Sequence, residues 1–500
     1  MSDVRVRFAP SPTGPLHIGG LRTALFNYLY AKKNGGSFIL RIEDTDKNRY
    51  VEGSEAHILD SLKWCGIIPD EGPFSKGEHG PYRQSERQSL YSLKIKELIE
   101  KKHAYYAFDT NEELSELRKE YEKRGEVFSY GEHNRKELKN SIVFGEKKTN
   151  ALLSEGKKHV VRFKMPKNKE VLCRDLLRGD VKINTKTLDD KILYKSDGMP
   201  TYHFANVVDD REMKISHVIR GEEWLPSLAL HVLIYEAFGW DEKPFFIHLP
   251  LILKPQGKGK LSKRDGEKLG FPVFAIKWEG DKVLNGYREN GFTPEAVVNF
   301  LSLLGWNPGN EKEIFTLKEL VSSFSIKGLN NSGARFDPEK NTWFNHVHIQ
   351  QITDEEIGDK IIKEFNSSVF EKSDVIKIAA LVKPRLNSLT DIKTTSSFFF
   401  NRPERFDNKD LKKFKNLDFK NIIRSIIDVI DKNPDLNLFK EGLEKVVKNN
   451  QWSFGKVLGL IRLSVVGNLS GPDLFKTVSL LGKKECVLRL GRLKKTLSEA

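Results

Sequence analysis

Five hundred residues exceed what one hydrophobic core supports, so three or four domains are expected. Hydrophobic content of 38% with 10% aromatics excludes a disordered chain, and no run reaches the roughly 20 apolar residues of a membrane span. The 83 Lys and Arg outweigh 69 Asp and Glu by +14, which suits a polyanionic partner such as RNA but equally fits a basic protein that never meets nucleic acid.

Val4, Val6 and Phe8 alternate with Arg5 and Arg7, a short strand that runs into a Pro/Gly loop, Ala9 to Pro15. His17-Ile-Gly19-Gly20 then opens a helix with Leu21, Ala24, Leu25, Tyr28 and Leu29 at helical spacing, ended by Gly35-Gly36. Ser37 to Ile42 is a second strand closed by the acidic Glu43-Asp-Thr-Asp46, and a helix follows over Ser54 to Trp64. Strand, helix, strand, helix is the rhythm of a Rossmann-like doubly wound parallel sheet, whose ligands sit at the carboxyl ends of the strands; His17 and Glu43 both fall there.

From 101 to 195 the pattern loosens and charge rises, with Glu112 to Lys123 an exposed helix, so this stretch reads as an insertion between two halves of the sheet. The sheet is expected to resume at Tyr194 and to end near Lys260. Thr293-Pro-Glu opens a capped helix, and from about 330 nearly every segment reads as helix, for example Asn421 to Ile430 and Ser453 to Leu463. The expected divisions are 1–100 and 196–330 for the two halves of the sheet domain, 101–195 for the insertion and 331–500 for an all-helical region. Residues 331–500 hold 30 basic against 22 acidic side chains, while 1–330 hold 53 against 47, so the tail is the more basic part per residue.

Cys65, Cys173 and Cys486 show no CxxC or CxC spacing, which is neither a disulfide framework nor a zinc motif and fits a reducing cytoplasm. A strand by Val4 leaves no room for a signal peptide, so a cytoplasmic protein is expected.

Two stretches carry chemistry. The first is the His17-Ile-Gly19-Gly20 helix start behind Pro10-Ser11-Pro12-Thr-Gly14; the second, about 240 residues later, is the basic loop Lys260-Leu-Ser262-Lys263-Arg264. A glycine-opened helix lets a nucleotide approach the backbone, and its N-terminus favours phosphate. A distant lysine can cover the charge that builds on a departing pyrophosphate. Alone, a His-x-Gly is usually a helix cap and a five-residue basic run is usually a solvated surface; each gains weight from the other.

This pair resembles the two signature sequences of class I aminoacyl-tRNA synthetases, and the surrounding residues narrow the likeness to glutamyl-tRNA synthetases of the bacterial type, over nearly the whole chain. The resemblance implies an ATP-dependent ligase that forms glutamyl-adenylate and then glutamyl-tRNA, releasing pyrophosphate and AMP. It implies ATP acting with Mg²⁺, bound tRNA for productive activation, a monomer, an acceptor-binding role for the insertion and an anticodon-binding role for the helical tail. His17 and Lys263 are the expected catalytic residues; Gly19, Gly20, Lys260, Ser262 and Trp224 join them around ATP. Gly20 stands where the general pattern has a second histidine, which weakens that second-histidine role.

A glutamate substrate brings two carboxylates and one ammonium, so its pocket wants arginines and an acid. Arg7 and Arg220 offer planar forks, and Glu43 offers the anion. Tyr202 and Asn206 lie one helical turn apart and can face one pocket; the resemblance implies that they bind the amino acid, with Ser11 beside them. Arg7 and Glu43 equally fit a structural ion pair, and Trp224 fits either an adenine border or the core. Gly80 to Arg87 matches a further family signature to which no chemistry is assigned. Relatives carry a zinc site in the insertion, where this chain reads Ala104-Tyr-Tyr-Ala-Phe108 and offers no thiol between Cys65 and Cys173, so no structural zinc and no other metal site are expected; His103 and His133 are expected at the surface. Lys383-Pro-Arg385 and Arg462 are candidate RNA contacts.

Glutaminyl-tRNA synthetases share the catalytic core but carry a β-barrel tail, and residues 340–500 lack alternating strands. A truncated enzyme that glutamylates a modified tRNA nucleoside has no tail at all. A small-molecule nucleotidyltransferase leaves the lysine loop and tail without purpose, and an inactive RNA-binding paralogue is expected to have lost His17, Lys263 or Arg220.

Overall fold

In the computed structural model, which describes residues 3–75, 77–280, 282–366, 369–432 and 438–499, the alternating run at the start forms β1 (Arg5–Phe8). Val6, Arg7 and Phe8 are all buried, so the strand is covered on both faces, as parallel strands are. The loop then feeds α1 (Ile18–Lys33), whose N-cap is His17 and whose last turn carries Lys32 and Lys33. Next come β2 (Ser37–Leu40), α2 (Ser54–Trp64) and α3 (Gln88–Glu100).

The following segment contains β3 (Ala104–Ala107), α4 (Asn111–Lys123) with a Thr110/Glu113 capping box, α5 (Ser141–Ser154), β4 (Val160–Phe163), β5 (Glu170–Asp175), β6 (Gly179–Asn184) and β7 (Ile192–Tyr194). After it run α6 (Tyr202–Glu212), β8 (His217–Gly221), α7 (Leu228–Phe238), β9 (Phe245–Leu249) and α8 (Lys263–Leu269).

The main sheet has the order β2-β1-β8-β9-β5-β6, parallel throughout except for the antiparallel β5–β6 hairpin at its edge. β1 sits between β2 on one side and β8 on the other, so the two halves of the chain meet there, the point at which doubly wound sheets bind ligands. α7 is buried at nearly every position, which makes it a core helix and not an amphipathic one.

The sheet resumes earlier than its expected point at Tyr194. β5 and β6 belong to it, with Asp175 opposite Phe246, whereas β7 joins β3 and β4 in a separate three-stranded antiparallel sheet. In β5, Val171, Cys173 and Asp175 are buried while Glu170, Leu172 and Arg174 are exposed. That one-faced alternation is masked in the sequence by the surrounding charge.

The chain divides into two units, one made of residues up to 289 with 297–338, the other of 290–296 with residues from 339 onward. Within the second unit the described elements are helical, from Asp354–Phe365 to Leu474–Glu499, around a core that includes Ile378, Phe399, Ile426, Leu460 and Leu490. No helix among the described residues is long and apolar enough to cross a membrane.

Candidate active site

A cavity of about 850 Å³ opens at the carboxyl ends of β1 and β8. Its lining includes Arg7, Ser11, His17, Gly19, Gly20, Glu43, Tyr202, Asn206, Arg220, Trp224, Lys260 and Ser262. Every site residue expected from sequence is thus in one place except Lys263, which opens α8 but whose side chain lies outside the described part of the structure.

At one end of the cavity, His17 caps α1: its Nδ1 accepts from Gly19 N at 3.1 Å, which leaves the ring proton on Nε2. A Cβ on Gly20 would come within 2.8 Å of Leu16 Cδ1 and 3.6 Å of Phe8, so a side chain there would make the Leu16 side chain shift. The signature loop approaches the same cavity. Lys260 donates to Glu223 Oε1 at 2.7 Å, and Ser262 donates through both N and Oγ to Asp265 Oδ2 at 2.8 and 2.6 Å. Those bonds from Ser262, with Lys254 nearby, hold the Asp265 carboxyl down at about 2.

Behind the lining residues Arg7, Glu43, Gln84 and Asn206 runs a buried lattice of charge. Arg7 grips Asp210 through Nε and Nη2 at 2.9 and 3.3 Å. Arg41 donates to Asp210 at 2.7 Å and to Glu43 at 3.0 Å, and Asn206 adds a bond to the same Glu43 oxygen at 3.1 Å. Asp209 accepts from Arg87, Gln84 and Tyr91 at 2.7, 2.8 and 2.7 Å. Arg7 and Glu43 therefore pair with Asp210 and Arg41, not with each other. Three arginines meet three carboxylates, as burial of charge demands. Burial pushes the Glu43 and Asp209 carboxyls up; at Asp210 the same burial is outweighed by Arg7 and Arg41, and its carboxyl lies below the usual range.

Arg220, at the end of β8, has different company. It donates from Nε to His248 Nε2 at 3.0 Å, from Nη1 to Tyr202 Oη and His231 Nδ1 at 3.2 Å each, and from Nη2 to the Trp224 carbonyl at 3.3 Å. Trp224 is 37% exposed and its ring lies 4.1 Å from that of Tyr202, so it is a wall of the cavity and not a core residue.

The sequence reading missed Arg41, Asp209, Asp210, His231, His248 and Asp175. Two signals were available: adjacent acids directly after the apolar Val207-Val208, and a lone histidine among the buried apolar residues of α7. The Gly80 to Arg87 signature, left without chemistry, supplies Gln84 and Arg87 to Asp209.

His103 and His133 are exposed, and among the described residues no three His, Cys, Asp or Glu side chains are grouped to hold a metal ion. In the second unit, Arg385 bonds Ser470 Oγ and the Gly471 carbonyl at 2.8 and 3.2 Å, and Arg462 bonds the Pro472 carbonyl at 2.7 Å, so both tie down one loop. Lys383 pairs with Asp354 at 2.6 Å.

Residues 3–343 match the catalytic domain of the tRNA synthetases class I (E and Q), and residues 350–494 match an anticodon binding domain. The class is that of the synthetases that serve glutamate and glutamine. The chain is 50% identical over 499 residues to the glutamate–tRNA ligase of Flavobacterium johnsoniae, covering 98% of each, and 49% identical over 503 residues to that of Christiangramia forsetii, covering 99% of each. The crystal structure of a glutamate tRNA ligase from Elizabethkingia meningosepticum in complex with its amino acid superposes with a TM-score of 0.96 at 47% identity, over 99% of this chain and 100% of that one. This chain belongs to the glutamate–tRNA ligase family.

Proposed function

We propose that this protein attaches glutamate to tRNA in two steps within the single cavity. A glutamate α-carboxylate oxygen attacks the α-phosphorus of ATP; the bond to the β-phosphate bridging oxygen breaks, and pyrophosphate leaves with the electron pair. A ribose hydroxyl at the tRNA end then attacks the carbonyl carbon of the mixed anhydride, loses its proton, and AMP departs. The protein's share is positioning and charge stabilisation.

The observation that carries this reading is that a helix N-terminus and a basic loop line the same cavity as an arginine-rich floor. His17, Gly19 and Gly20 would seat the nucleotide, with Lys260, Ser262 and Lys263 closing over its phosphates and Trp224 beside its base. Arg7, Ser11, Glu43, Tyr202, Asn206 and Arg220 would hold the amino acid, the carboxylate of Glu43 facing the ammonium group. Glutamate carries a net charge of about −1 near neutral pH and glutamine about zero, so the extra guanidinium charge at Arg220 favours glutamate. With no grouped metal ligands among the described residues, Mg²⁺ would arrive on the ATP phosphates, the usual habit of that ion.

The segment 101–195 would hold the tRNA acceptor end, and the helical region 331–500 would read the anticodon. The protein would act as a cytoplasmic monomer without structural zinc. The test is charging of purified tRNA for glutamate and, separately, tRNA for glutamine, with labelled glutamate, labelled glutamine and ATP. Glutamate on the first tRNA, with or without the second, supports the reading; transfer of glutamine, or of neither amino acid, overturns it.

A further inference from the structure

The bonds around Arg220 fix more than its position. A guanidinium can only donate, so His248 Nε2 and His231 Nδ1 must both accept from it. The proton of His248 therefore sits on Nδ1, where it meets Asp175 Oδ2 at 2.7 Å; the same oxygen accepts from the His248 backbone N at 3.0 Å. The proton of His231 sits on Nε2, 3.3 Å from His203 Nδ1. Asp175 itself is held at the end of β5, its Oδ1 accepting from Leu177 and Arg178 N at 2.9 and 2.8 Å. Both chains work only with neutral imidazoles, and His231 and His248 lie within the core, where charging is disfavoured.

The contrast with the rest of the floor is electrostatic. Arg7, Arg41 and Arg87 are each neutralised by a carboxylate at 3.0 Å or less. Among the described residues, no carboxylate is a hydrogen-bond or ion-pair partner of Arg220; all its partners are neutral acceptors. It keeps the geometry that a bidentate carboxylate would otherwise impose, without giving up its charge.

We infer that His248 and His231 are positioning residues for glutamate: backed by Asp175 and His203, they orient the Arg220 guanidinium while leaving its charge uncompensated, so that the substrate carboxylate supplies the missing anion. The inference rests on the glutamate-binding role proposed above for Arg220. Neither histidine lines the cavity. Their route to the substrate runs through Arg220, and for His231 also through the Tyr202 ring, 5.9 Å from its own.

The test uses full-length enzyme in tRNA charging, with the KM for glutamate and the KM for ATP read side by side. His248→Leu removes the acceptor and is expected to raise the glutamate KM by about 10- to 100-fold, with the ATP KM within about twofold. His248→Gln, which returns an acceptor oxygen near the Nε2 position, is expected to recover most of the loss. His231→Leu against His231→Asn makes the same comparison from α7, so a folding failure in one pair leaves the other to decide. A glutamate KM unchanged in the leucine variants, equal rises in both KM values, or no recovery in the amide variants would overturn the inference. Failure of the parent reading is distinct: the unsubstituted enzyme would then not charge glutamate at all.

Discussion

Arg7 and Arg220 reach one cavity from adjacent strands, yet they are held in opposite ways. Arg7 is locked by Asp210 into a lattice whose positive and negative charges balance, whereas Arg220 rests on two imidazoles, a phenol and a carbonyl. The lattice gives rigidity: once buried, each charge needs its counter-charge, and removal of any member strands another. The neutral cradle would suit Arg220 to bind an anion, because no carboxylate among the described residues pairs with its guanidinium. On the reading proposed here, one side is built to be stable and the other to bind.

The largest effect should come from breaking the binding side. Arg220→Ala is expected to lower kcat/KM for glutamate by about 1,000-fold or more, with a far smaller change in the KM for ATP, in steady-state charging assays. Breaking the stable side should instead show in unfolding. Arg41→Ala takes the ion-pair partner from buried Glu43 and leaves Asp210 with Arg7 alone, and is expected to cost about 3–5 kcal/mol in urea denaturation. Arg220→Met strands only neutral acceptors and should cost less, about 1–3 kcal/mol. If the two cost the same, the contrast between lattice and cradle fails.

A smaller effect sharpens the cradle alone. Burial, with Lys191 and Arg220 nearby, lowers the His203 imidazole to about 4, against an unfolded value of about 6.5. Between those values the unfolded chain binds the extra proton, so this group contributes a loss of stability as pH falls from about 6.5 toward 4 and nothing above that range. His203→Asn should therefore show a shallower decline of the urea midpoint than the unsubstituted protein between pH 7 and 4.5. The smallest stability change belongs to Lys260→Ala, which removes a solvent-exposed ion pair with Glu223 and should alter stability by under about 1 kcal/mol. It is still expected to raise the ATP KM several-fold by loosening the loop at the cavity rim.

Local pattern carried much of this molecule. α2 spans Ser54–Trp64, where the sequence places a helix, and Tyr202 and Asn206 share one face of α6 because they stand four residues apart. The signature stretches needed no distant information either. What stayed hidden depends on pairings across more than a hundred residues: Arg41 with Asp210, Arg7 with Asp210, and Gln84 with Asp209. Asp175 and His248, 73 positions apart, meet only because the β5–β6 hairpin joins the main sheet beside β9. Composition marks such residues as charged and so as surface; only the fold reveals that they are buried beside the cavity.

The most direct test of the account is the ratio of kcat/KM for glutamate to that for glutamine on tRNA for glutamate, with the unsubstituted enzyme at saturating ATP. An uncompensated guanidinium should favour the anionic substrate by about 1,000-fold or more. A ratio within about tenfold would mean that the charge at Arg220 does not choose the substrate, and would contradict the account.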